Sequence, residues 1–435
     1  MIIEDNKKNN LLIISYHYPP IKAMGSLRPF FLAKTLDKAK WNVYVFSSSN
    51  YRLLETDKNF QRLATDKNKV NLPTFDLQTI KFFLAKLLKK RNISMRNSML
   101  RMIHSFPFNM FSAGGFLFIL TGLLKGLYFI RRYNIRYLFS TYSIYSNHML
   151  AFLLKKFNKD LVWIADFRDL PFGDSYEEIL LPSLQRKFNK IIFGKTDYIT
   201  TVSNGLKERL KKYNSNIEVI RNGIPVDIDP TKKPVKTETF NIVYTGALYY
   251  GKRDAFLLFN CLKRLADNKE IGNDFKLIYA GSQGELWLTW AKENNMVENI
   301  ELLGDLDRDA VLELQNKASI NLVLTWSDRG EKGVITGKFY EYLAAGRPIL
   351  CIINGQKDEE MEKLFKDINV GLVVYNQPPL NRSLESFVKS LYSEWKKKGF
   401  VTWEYENRFL NECRYENISR EFEKIFLKKE KTQDA

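Results

Sequence analysis

The chain has 435 residues, of which 45% are hydrophobic and 27% are charged. This composition is that of a folded soluble protein and excludes disordered, collagen-like and coiled-coil classes, while the length suggests two or three domains at about 100–200 residues each. Lys and Arg number 67 against 49 Asp and Glu, which gives a net charge of +18. The partner classes that fit such a charge are nucleic acid, an anionic membrane surface and a phosphorylated ligand.

The sequence shows no sign of export or of a membrane span. Its three cysteines and three histidines are scattered and lack the spacing of a zinc site or a disulfide framework, which fits a reducing compartment. Residues 1–10 are polar and do not resemble a signal peptide. The apolar run 116–130 is shorter than the about 20 residues that span a bilayer, and Lys125 interrupts it, so we predict a buried or interfacial helix. We therefore expect a cytoplasmic protein.

Short apolar runs alternate with helical patterns through the first 200 residues, which is typical of a parallel sheet covered by helices. The first run, its following helical pattern and the second run together make a strand–helix–strand unit. The predicted strands are 11–15, 42–47, 135–140, 161–165 and 198–202, and the predicted helices are 26–36, 147–156 and 181–193.

A second alternation follows a segment rich in Pro, Lys, Thr and Asp. This segment, 222–240, lacks helical periodicity and is the predicted linker. The chain ends in a charged helical region, 405–429. The strands predicted after the linker are 241–245, 275–280, 300–303, 320–324, 348–352 and 371–374, and the helices are 254–266, 286–294, 308–316 and 338–345.

These elements predict an α/β protein with two Rossmann-like, doubly wound domains that face each other across a cleft. The predicted bounds are 1–222 for the first domain, 223–240 for the linker, 241–400 for the second domain and 401–435 for a C-terminal helix and tail. This helix is a candidate for crossing back to the first domain. Ligands of such sheets bind beyond the carboxyl ends of the strands, which places the expected site in the cleft.

Glycines and cations follow the predicted strands of the second domain at their carboxyl ends. Gly246 follows strand 241–245, and the neighbouring Lys252 and Arg253 suit a phosphate, although a solvated turn before a helix fits equally well. Gly281 and Gly304 follow the next two strands, and each is a weak signal by itself.

The segment 333–350, GVITGKFYEYLAAGRPIL, carries the densest signal. Gly337 and Lys338 come where a helix begins, and backbone N–H groups at a helix N-terminus bind anions. Glu341 lies one turn further on, where a carboxylate can accept hydrogen bonds from a ribose diol. The alternative for Lys338 and Glu341 is an exposed ion pair between the two side chains.

Four stretches carry a family resemblance. GKFYEYLAAGRPIL (337–350) resembles the donor-binding segment of family-four glycosyltransferases, which have the GT-B fold. TVSNGLKERL (201–210) and IEVIRNGIP (217–225) resemble the part of that family before its linker, and SYHYPPIKAMGSLRPFFLAKTL (15–36) resembles its first strand, loop and helix. The similarity keeps the same order through nearly the whole chain.

The resemblance implies a retaining, metal-independent sugar transfer of the hexosyltransferase type, from a nucleotide-sugar donor to a lipid-linked or polysaccharide acceptor. Arg253 and Lys338 would hold the diphosphate, with Lys252 as the alternative cation, and Glu341 would bind the ribose. Gly25 would be the glycine of the first loop, close to the diphosphate and the acceptor. The other implied donor-binding residues are Gly246, Gly281, Gly304, Glu331, Gly333, Thr336 and Gly337.

One departure from the family pattern concerns the donor sugar. The family has two glutamates eight positions apart, of which the first touches the sugar. Here Glu341 is present, but the partner position holds Gly333. Glu331 or Asp328 is the candidate substitute.

A second departure concerns the acceptor side. Many family members carry a histidine where this chain has Arg168 and Asp169. These two residues become the candidate sugar-side groups, with Asp169 orienting an acceptor hydroxyl, and together with Lys338 they form the predicted catalytic set. The alternative is an internal Arg–Asp pair that only shapes the loop.

Three Asp-x-Asp triplets raise the question of a metal ion, since carboxylate oxygens bind divalent cations. They are formed by Asp227 and Asp229, by Asp305 and Asp307, and by Asp307 and Asp309. The first lies in the predicted linker and the others precede a helix, where Asp is a common cap. We therefore predict caps, no metal site and no cofactor besides the nucleotide sugar.

The segment 81–101 holds seven Lys and Arg and no acidic residue, interleaved with apolar side chains. Such a basic amphipathic pattern suits an anionic membrane surface, and the alternative is a solvated helix packed on its domain. We expect peripheral attachment to the inner face of the membrane. Nucleic acid is not an expected partner, because no nucleic-acid-binding module is recognisable.

Two other functions compete with the glycosyltransferase. A non-catalytic protein that binds sugar nucleotides is suggested by Gly333 at a glutamate position. A nicotinamide-dependent oxidoreductase also fits two α/β domains, but no GxGxxG follows strand 11–15 or strand 241–245.

Overall fold

The computed structural model describes residues 8–21, 23–49, 68–74, 107–108, 115–142, 144–174, 179–225, 234–328, 332–377 and 382–433. The basic segment 81–101 and Glu331 lie outside the described residues, as do Asp227 and Asp229.

Apolar runs of the first half of the chain form a seven-stranded parallel sheet. Its order is β3-β2-β1-β4-β5-β6-β7, so the strand order reverses between β1 and β4. The buried side chains of β1 alternate between the two faces, with Leu12 and Ile14 in one core and Leu11 and Ile13 in the other. The strands are β1 (Asn9–Ile14), β2 (Trp41–Ser48), β3 (Lys69–Leu72), β4 (Tyr137–Thr141), β5 (Val162–Phe167), β6 (Tyr198–Thr201) and β7 (Ile217–Val219).

Helices cover both faces of this first sheet. One core contains side chains of α2, α3 and α4, and the other contains side chains of α1 and of the C-terminal helix α13. The helices are α1 (Leu27–Thr35), α2 (Gly115–Arg132), α3 (Tyr145–Phe157), α4 (Pro182–Phe193), α5 (Asn204–Leu210) and α13 (Tyr415–Gln433).

The second half of the chain repeats the plan with six parallel strands in the order β10-β9-β8-β11-β12-β13. The strands are β8 (Phe240–Thr245), β9 (Phe275–Ala280), β10 (Ile300–Gly304), β11 (Ile320–Ser327), β12 (Ile349–Gly355) and β13 (Gly371–Tyr375). The helices are α6 (Phe256–Asp267), α7 (Gly284–Glu293), α8 (Arg308–Asn316), α9 (Gly337–Ala345), α10 (Glu359–Ile368), α11 (Arg382–Lys398) and α12 (Asn407–Glu412).

The chain forms two compact units, one of residues 1–223 with 415–435 and one of residues 224–414. The second unit is longer than the predicted 241–400, because residues 224–240 of the predicted linker and the segment with α12 both belong to it. Helix α13 returns to the first unit, where Tyr415 stacks on Phe31 with ring centroids 4.3 Å apart and Trp41 Nε1 donates to Glu423 at 3.0 Å. The predicted α/β class with two doubly wound sheets and a returning C-terminal helix is confirmed.

A buried ion pair ties together three parts of the first unit. Arg28 and Asp166 are at most 2% exposed, and Arg28 Nη2 lies 2.9 Å from Asp166 Oδ1. The guanidinium also donates to the carbonyls of Ile220 and Arg221, both at 2.8 Å. The pair therefore fixes α1, the end of β5 and the last residues before the second unit against one another.

The apolar run 116–130 lies within α2. One side of this helix packs into the core and the other side is exposed, so it is neither fully buried nor fully solvated. In the part of the chain that the structure describes, no helix is both long enough and apolar enough to cross a membrane.

We predict that Arg28→Ala destabilises the first unit by about 3–5 kcal/mol, because Asp166 would stay buried without its cation. The measurement is hydrogen exchange of β5 amides, which reports on this unit alone. This choice matters because two units do not unfold in a single step. Lys424→Ala is the matched control in the same unit, since Lys424 pairs with Glu421 on the surface, and it should cost less than about 1 kcal/mol. Equal losses in the two variants would contradict the prediction.

Candidate functional site

The strand order of the second unit reverses between β8 and β11, and open parallel sheets bind ligands at the carboxyl edge beside such a reversal. Gly246 follows β8, Gly281 follows β9 and Gly304 ends β10. The chain after β11 leads to the N-terminus of α9, which begins at Gly337. The topology thus brings these predicted donor-binding residues to one edge of one sheet.

The amine of Lys338 lies against the backbone of Gly246. A Cβ atom at position 246 would overlap the lysine side chain, and Gly246 has a φ of 111°, a left-handed value that glycine adopts without strain. Lys338 is partly buried, and it has no ion-pair partner among the described residues. Burial, reinforced by the nearby charge of Arg253, lowers the pKa of Lys338 to about 7. This cation is desolvated and close to losing its proton.

The guanidinium of Arg253 is buried against two aromatic rings. Its central carbon lies 4.4 Å from the ring centroid of Tyr249 and 5.4 Å from that of Trp326. Its Nη1 donates to the carbonyl of Ala247 at 3.0 Å, whereas the buried Nε has no hydrogen-bond partner in the described part of the chain. A buried guanidinium with an unused donor favours an anionic ligand.

Glu341 is buried and pairs with a residue of another helix. Its Oε1 lies 3.0 Å from Nη1 of Arg308, and its Oε2 accepts a hydrogen bond from Gln315 at 3.3 Å. The predicted alternative, an exposed pair with Lys338, is therefore wrong. Each carboxylate oxygen can accept two hydrogen bonds, so Glu341 keeps acceptor capacity for a ligand hydroxyl.

The N-terminus of α9 presents unused polar groups. Thr336 is its N-cap residue, but the Thr336 hydroxyl makes no capping bond and its buried oxygen has no partner within the described ranges. The first N–H groups of any α-helix lack intrahelical acceptors. Gly333, at the expected glutamate position, donates its backbone N–H to Asp358 at 2.8 Å. This backbone hydrogen bond fixes the segment before α9.

The other predicted donor-side cation has a different environment. The Lys252 amine lies 5.1 Å from the Trp326 ring centroid, and its backbone carbonyl accepts from Asn354 at 2.8 Å. Gly281 packs close to the Gly246 carbonyl and the Tyr279 hydroxyl. Glu331, the candidate substitute for the missing glutamate, lies outside the described residues, so its position stays a prediction.

The first unit gathers the predicted sugar-side residues at the carboxyl ends of β1 and β5. Gly25 touches Arg168, since a Cβ atom there would lie 2.9 Å from Arg168 Nη2. Arg168 Nε donates to the Tyr142 carbonyl at 3.0 Å, and Asp169 is exposed. Within the described residues no ion pair joins Arg168 to Asp169, so the loop-shaping pair is formed instead by Asp166 and Arg28.

His17 is a neighbour of Arg168 that the sequence analysis did not select. It follows β1, and burial together with the Arg168 charge lowers the pKa of His17 to about 4. The ring is therefore neutral near pH 7 and can both donate and accept hydrogen bonds. Its place directly after the first predicted strand was the available signal.

Arg308 is the second residue that the sequence analysis missed. It is the first residue of α8, where the helix dipole disfavours a positive charge. A cation in such an unfavourable position has a partner elsewhere, and here that partner is Glu341. The charge pattern at the start of the helix was therefore the signal.

The aspartates before α8 act as local structure. Asp307 caps the helix, with its side chain accepting from the Ala310 N–H at 2.9 Å. Across the ranges that the structure describes, no three His, Cys, Asp or Glu side chains lie together as metal ligands would. These aspartates thus give no sign of a shared metal site.

The sequence matches no protein-family model and no curated protein. Solved structures are similar along their whole length. A sucrose-phosphate synthase from Thermosynechococcus elongatus has 13% identity and a TM-score of 0.58, over 96% of this chain and 98% of that one. The lipopolysaccharide outer core galactosyltransferase WaaB has 13% identity and a TM-score of 0.57, over 97% and 99% of the two chains.

A structure described as a putative UDP-N-acetylglucosamine 2-epimerase from Listeria monocytogenes is also similar, with 12% identity and a TM-score of 0.53, over 98% of this chain and 97% of that one. At such identities these similarities show the fold. The chain has the glycosyltransferase-like GT-B fold of two Rossmann-like units, as its sequence predicts.

Proposed function

We propose that this protein is a glycosyltransferase of the family-four type, which moves a hexosyl group from a nucleotide-sugar donor to a lipid-linked or polysaccharide acceptor. In this proposal the transfer retains the anomeric configuration and needs no metal ion. The supporting observation is the cluster of Lys338, Arg253 and the α9 N-terminus, three unneutralised positive features at the carboxyl edge beside the strand-order reversal.

The cluster suits a diphosphate that becomes a leaving group. Negative charge grows on the diphosphate as its bond to the sugar breaks, and fixed positive groups stabilise that change without reorganising. Arg253 is held by the aromatic rings of Tyr249 and Trp326, and Lys338 is held against Gly246. Lys338, Arg253 and Thr336 would contact the phosphates, while Glu341, oriented by Arg308, would accept the ribose hydroxyls.

In the first unit, Arg168 and Asp169 are the proposed sugar-side residues, and His17 joins them as a neutral hydrogen-bonding group. Gly25 leaves space for the Arg168 guanidinium, which the Tyr142 carbonyl orients. Exposed Asp169 can accept the proton or the hydrogen bond of an acceptor hydroxyl. The neighbours named sucrose-phosphate synthase and galactosyltransferase support sugar transfer as the reaction class.

One observation favours a second candidate, a protein that binds sugar nucleotides without transferring the sugar. Gly333 stands where the family has a glutamate, and its N–H is bonded to Asp358. The fold is also shared by a structure described as an epimerase, whose name implies a reaction on one sugar nucleotide. Donor consumption that depends on an acceptor separates the transferase from both.

We place the protein in the cytoplasm, at the inner face of the membrane, because a lipid-linked acceptor is presented there. The net charge of +18 and the basic segment 81–101 support this location. The same net charge also fits a phosphorylated donor.

The test begins with the donor. UDP-, GDP- and dTDP-sugars are screened for thermal stabilisation, since a ligand at 100 times its Kd adds about 2.7 kcal/mol. With the selected donor, we expect Lys338→Ala to lower turnover by about a hundredfold, the effect of losing one electrostatic contact in a transition state. Glu341→Ala should mainly raise the Kd of the nucleotide, because ribose contacts change little during the reaction.

The matched control for these variants is Lys317→Ala, which removes an exposed lysine of the same unit that pairs with Glu313. It should leave turnover unchanged. If Lys338→Ala keeps turnover within threefold of the parent, the phosphate assignment is wrong. If donors bind but no acceptor causes their consumption, the non-catalytic candidate replaces the transferase.

The pKa of Lys338 gives a pH prediction with a definite sign. Its folded value of about 7 lies below the ordinary 10.5, so in the empty site the amine loses its proton as the pH rises above 7. A diphosphate binds the charged form, so its Kd should rise with pH, toward tenfold per pH unit. Calorimetry between pH 7.5 and 9 measures this rise in Kd. The Lys338→Met variant should bind the diphosphate weakly, with a Kd that does not change over this pH range. A parent Kd that is flat over this range would contradict the prediction.

We predict that transfer activity survives chelation by EDTA. Arg253, Lys338 and the helix N-terminus would neutralise the diphosphate in place of a divalent ion. Asp307 would remain a helix cap. The measurement is turnover before and after EDTA treatment, and a complete loss that Mn²⁺ or Mg²⁺ restores would show that a metal ion takes part.

A further inference from the structure

Helix α2 exposes a stripe of large apolar side chains to solvent. Phe116, Leu120, Leu124 and Tyr128 recur at every fourth position, which places them along one side of the helix, and they are 64, 40, 62 and 59% exposed. Single exposed apolar residues are ordinary on a protein surface, but a continuous row marks an interaction site.

The packing of α2 fixes this stripe on the outside. Gly122 and Gly126 face α3, and Cβ atoms at these positions would come within 2.5 Å of Leu150 and 2.7 Å of Leu154. The helices approach each other closely at these two glycines. Rotating α2 to bury its stripe would push larger side chains into α3, so the stripe is a lasting feature of the fold.

A second apolar stripe lies on helix α4 and on Leu181, the residue just before it, beside the same neighbour α3. Leu181, Leu184 and Ile191 are 53, 36 and 56% exposed. The opposite side of α4 is tied to α3 by the hydrogen bond from Tyr145 Oη to Asn189 Oδ1, at 2.9 Å. Because α2 and α4 both pack against α3, the two stripes lie on one side of the sheet. We call them together the α2–α4 face.

The charge of the α2–α4 face is entirely positive within its helices. Neither helix contains an acidic residue, and the two acidic residues shortly before α4, Glu177 and Glu178, lie outside the described residues. Apolar side chains with surrounding cations match the interface of an anionic bilayer. The cations are Lys125, Arg131 and Arg132 on α2, and Arg186, Lys187 and Lys190 on α4.

We propose that the α2–α4 face docks on an anionic lipid bilayer, with its apolar stripes at the level of the headgroups. A second copy of the chain is a poorer occupant, because a symmetric contact would bring the same cations together. This docking proposal rests on the proposed function, because its purpose would be to hold the first unit at the membrane surface that presents a lipid-linked acceptor. It differs from the proposed role of segment 81–101, because it concerns described, packed helices.

The experiment is flotation of the full chain with vesicles of phosphatidylglycerol and phosphatidylcholine, and with vesicles of phosphatidylcholine alone. The test variant combines Leu124→Gln with Ile191→Gln. The matched control combines Val297→Gln with Leu302→Gln, which removes side chains of 46 and 42% exposure from the second unit. We expect the parent and the control to float with the anionic vesicles only. The test variant should bind them about tenfold more weakly for each apolar side chain it loses.

Three further measurements keep the outcomes distinct. Lys125→Gln with Lys190→Gln should also weaken flotation, and high salt should weaken that of the parent. The thermal midpoints of the test variant and the lysine variant should match that of the parent, because their four substituted residues are exposed. These residues are Leu124, Lys125, Lys190 and Ile191. Sedimentation of the parent and the test variant detects a dimer. A dimer that the test variant dissociates while its flotation stays unchanged would assign the face to a second copy and overturn the proposal.

A variant of segment 81–101, with Lys86, Lys89, Lys90 and Arg91 changed to Gln, completes the design. If only this variant loses flotation and Leu124→Gln with Ile191→Gln binds as the parent does, the segment is the membrane anchor and the α2–α4 face is not. Flotation needs no donor, and the nucleotide-sugar screen needs no vesicles. Failure of the docking proposal can therefore be told apart from failure of the proposed function.

Discussion

Parallel strands impose the constraint on which the candidate site depends. All strands of a parallel sheet end at the same edge, and the reversal of strand order leaves room there for a ligand. Gly246 and Lys338 are far apart in sequence, yet they touch because one follows β8 and the other lies in the first turn of the helix after β11. The first sheet does the same with Gly25 and Arg168. The ends of the strands therefore determine where the functional side chains lie, and the helices that pack on the sheet mainly stabilise the positions of those ends.

In the second unit this arrangement removes positive charges from water, which is unfavourable in free energy. A buried cation without a counter-ion is unfavourable, and the lowered pKa of Lys338 expresses that cost. Arg308 and Glu341 neutralise each other nearby, whereas Lys338 and the Nε of Arg253 remain unsatisfied. Buried charged groups without a partner occur at ligand-binding sites, where the ligand supplies the missing partner. In the proposed site the neutralised pair would position the ligand, and the unsatisfied cations would bind it.

The sequence predicted the architecture well because buried strands and helix starts leave local patterns. It missed β3 and β7, which are edge strands of only four and three residues, too short to show a strand pattern. It also missed the helices α5, α10 and α11, although in α10 Met361, Leu364 and Ile368 follow helical spacing. In the site it selected Lys338 and Arg253 but not Arg308. The place of Arg308 at a helix start signals a partner, but only tertiary packing identifies that partner as Glu341. The exposed stripe of α2 was likewise invisible, since an apolar run does not reveal which of its sides is covered.

We propose that the net charge of +18 serves two purposes that obey different physics. Lys338 and Arg253 would act from partly buried positions, where each charge is strong and salt screens it little. The cations of the α2–α4 face act from water, where each contributes only about 1 kcal/mol near an anionic surface and salt weakens it. Many weak contacts hold an enzyme reversibly on a membrane, while a few strong ones select a phosphorylated donor. Ionic strength should therefore release the protein from the bilayer well before it displaces the nucleotide, which lets one chain use a common charge for attachment and for chemistry.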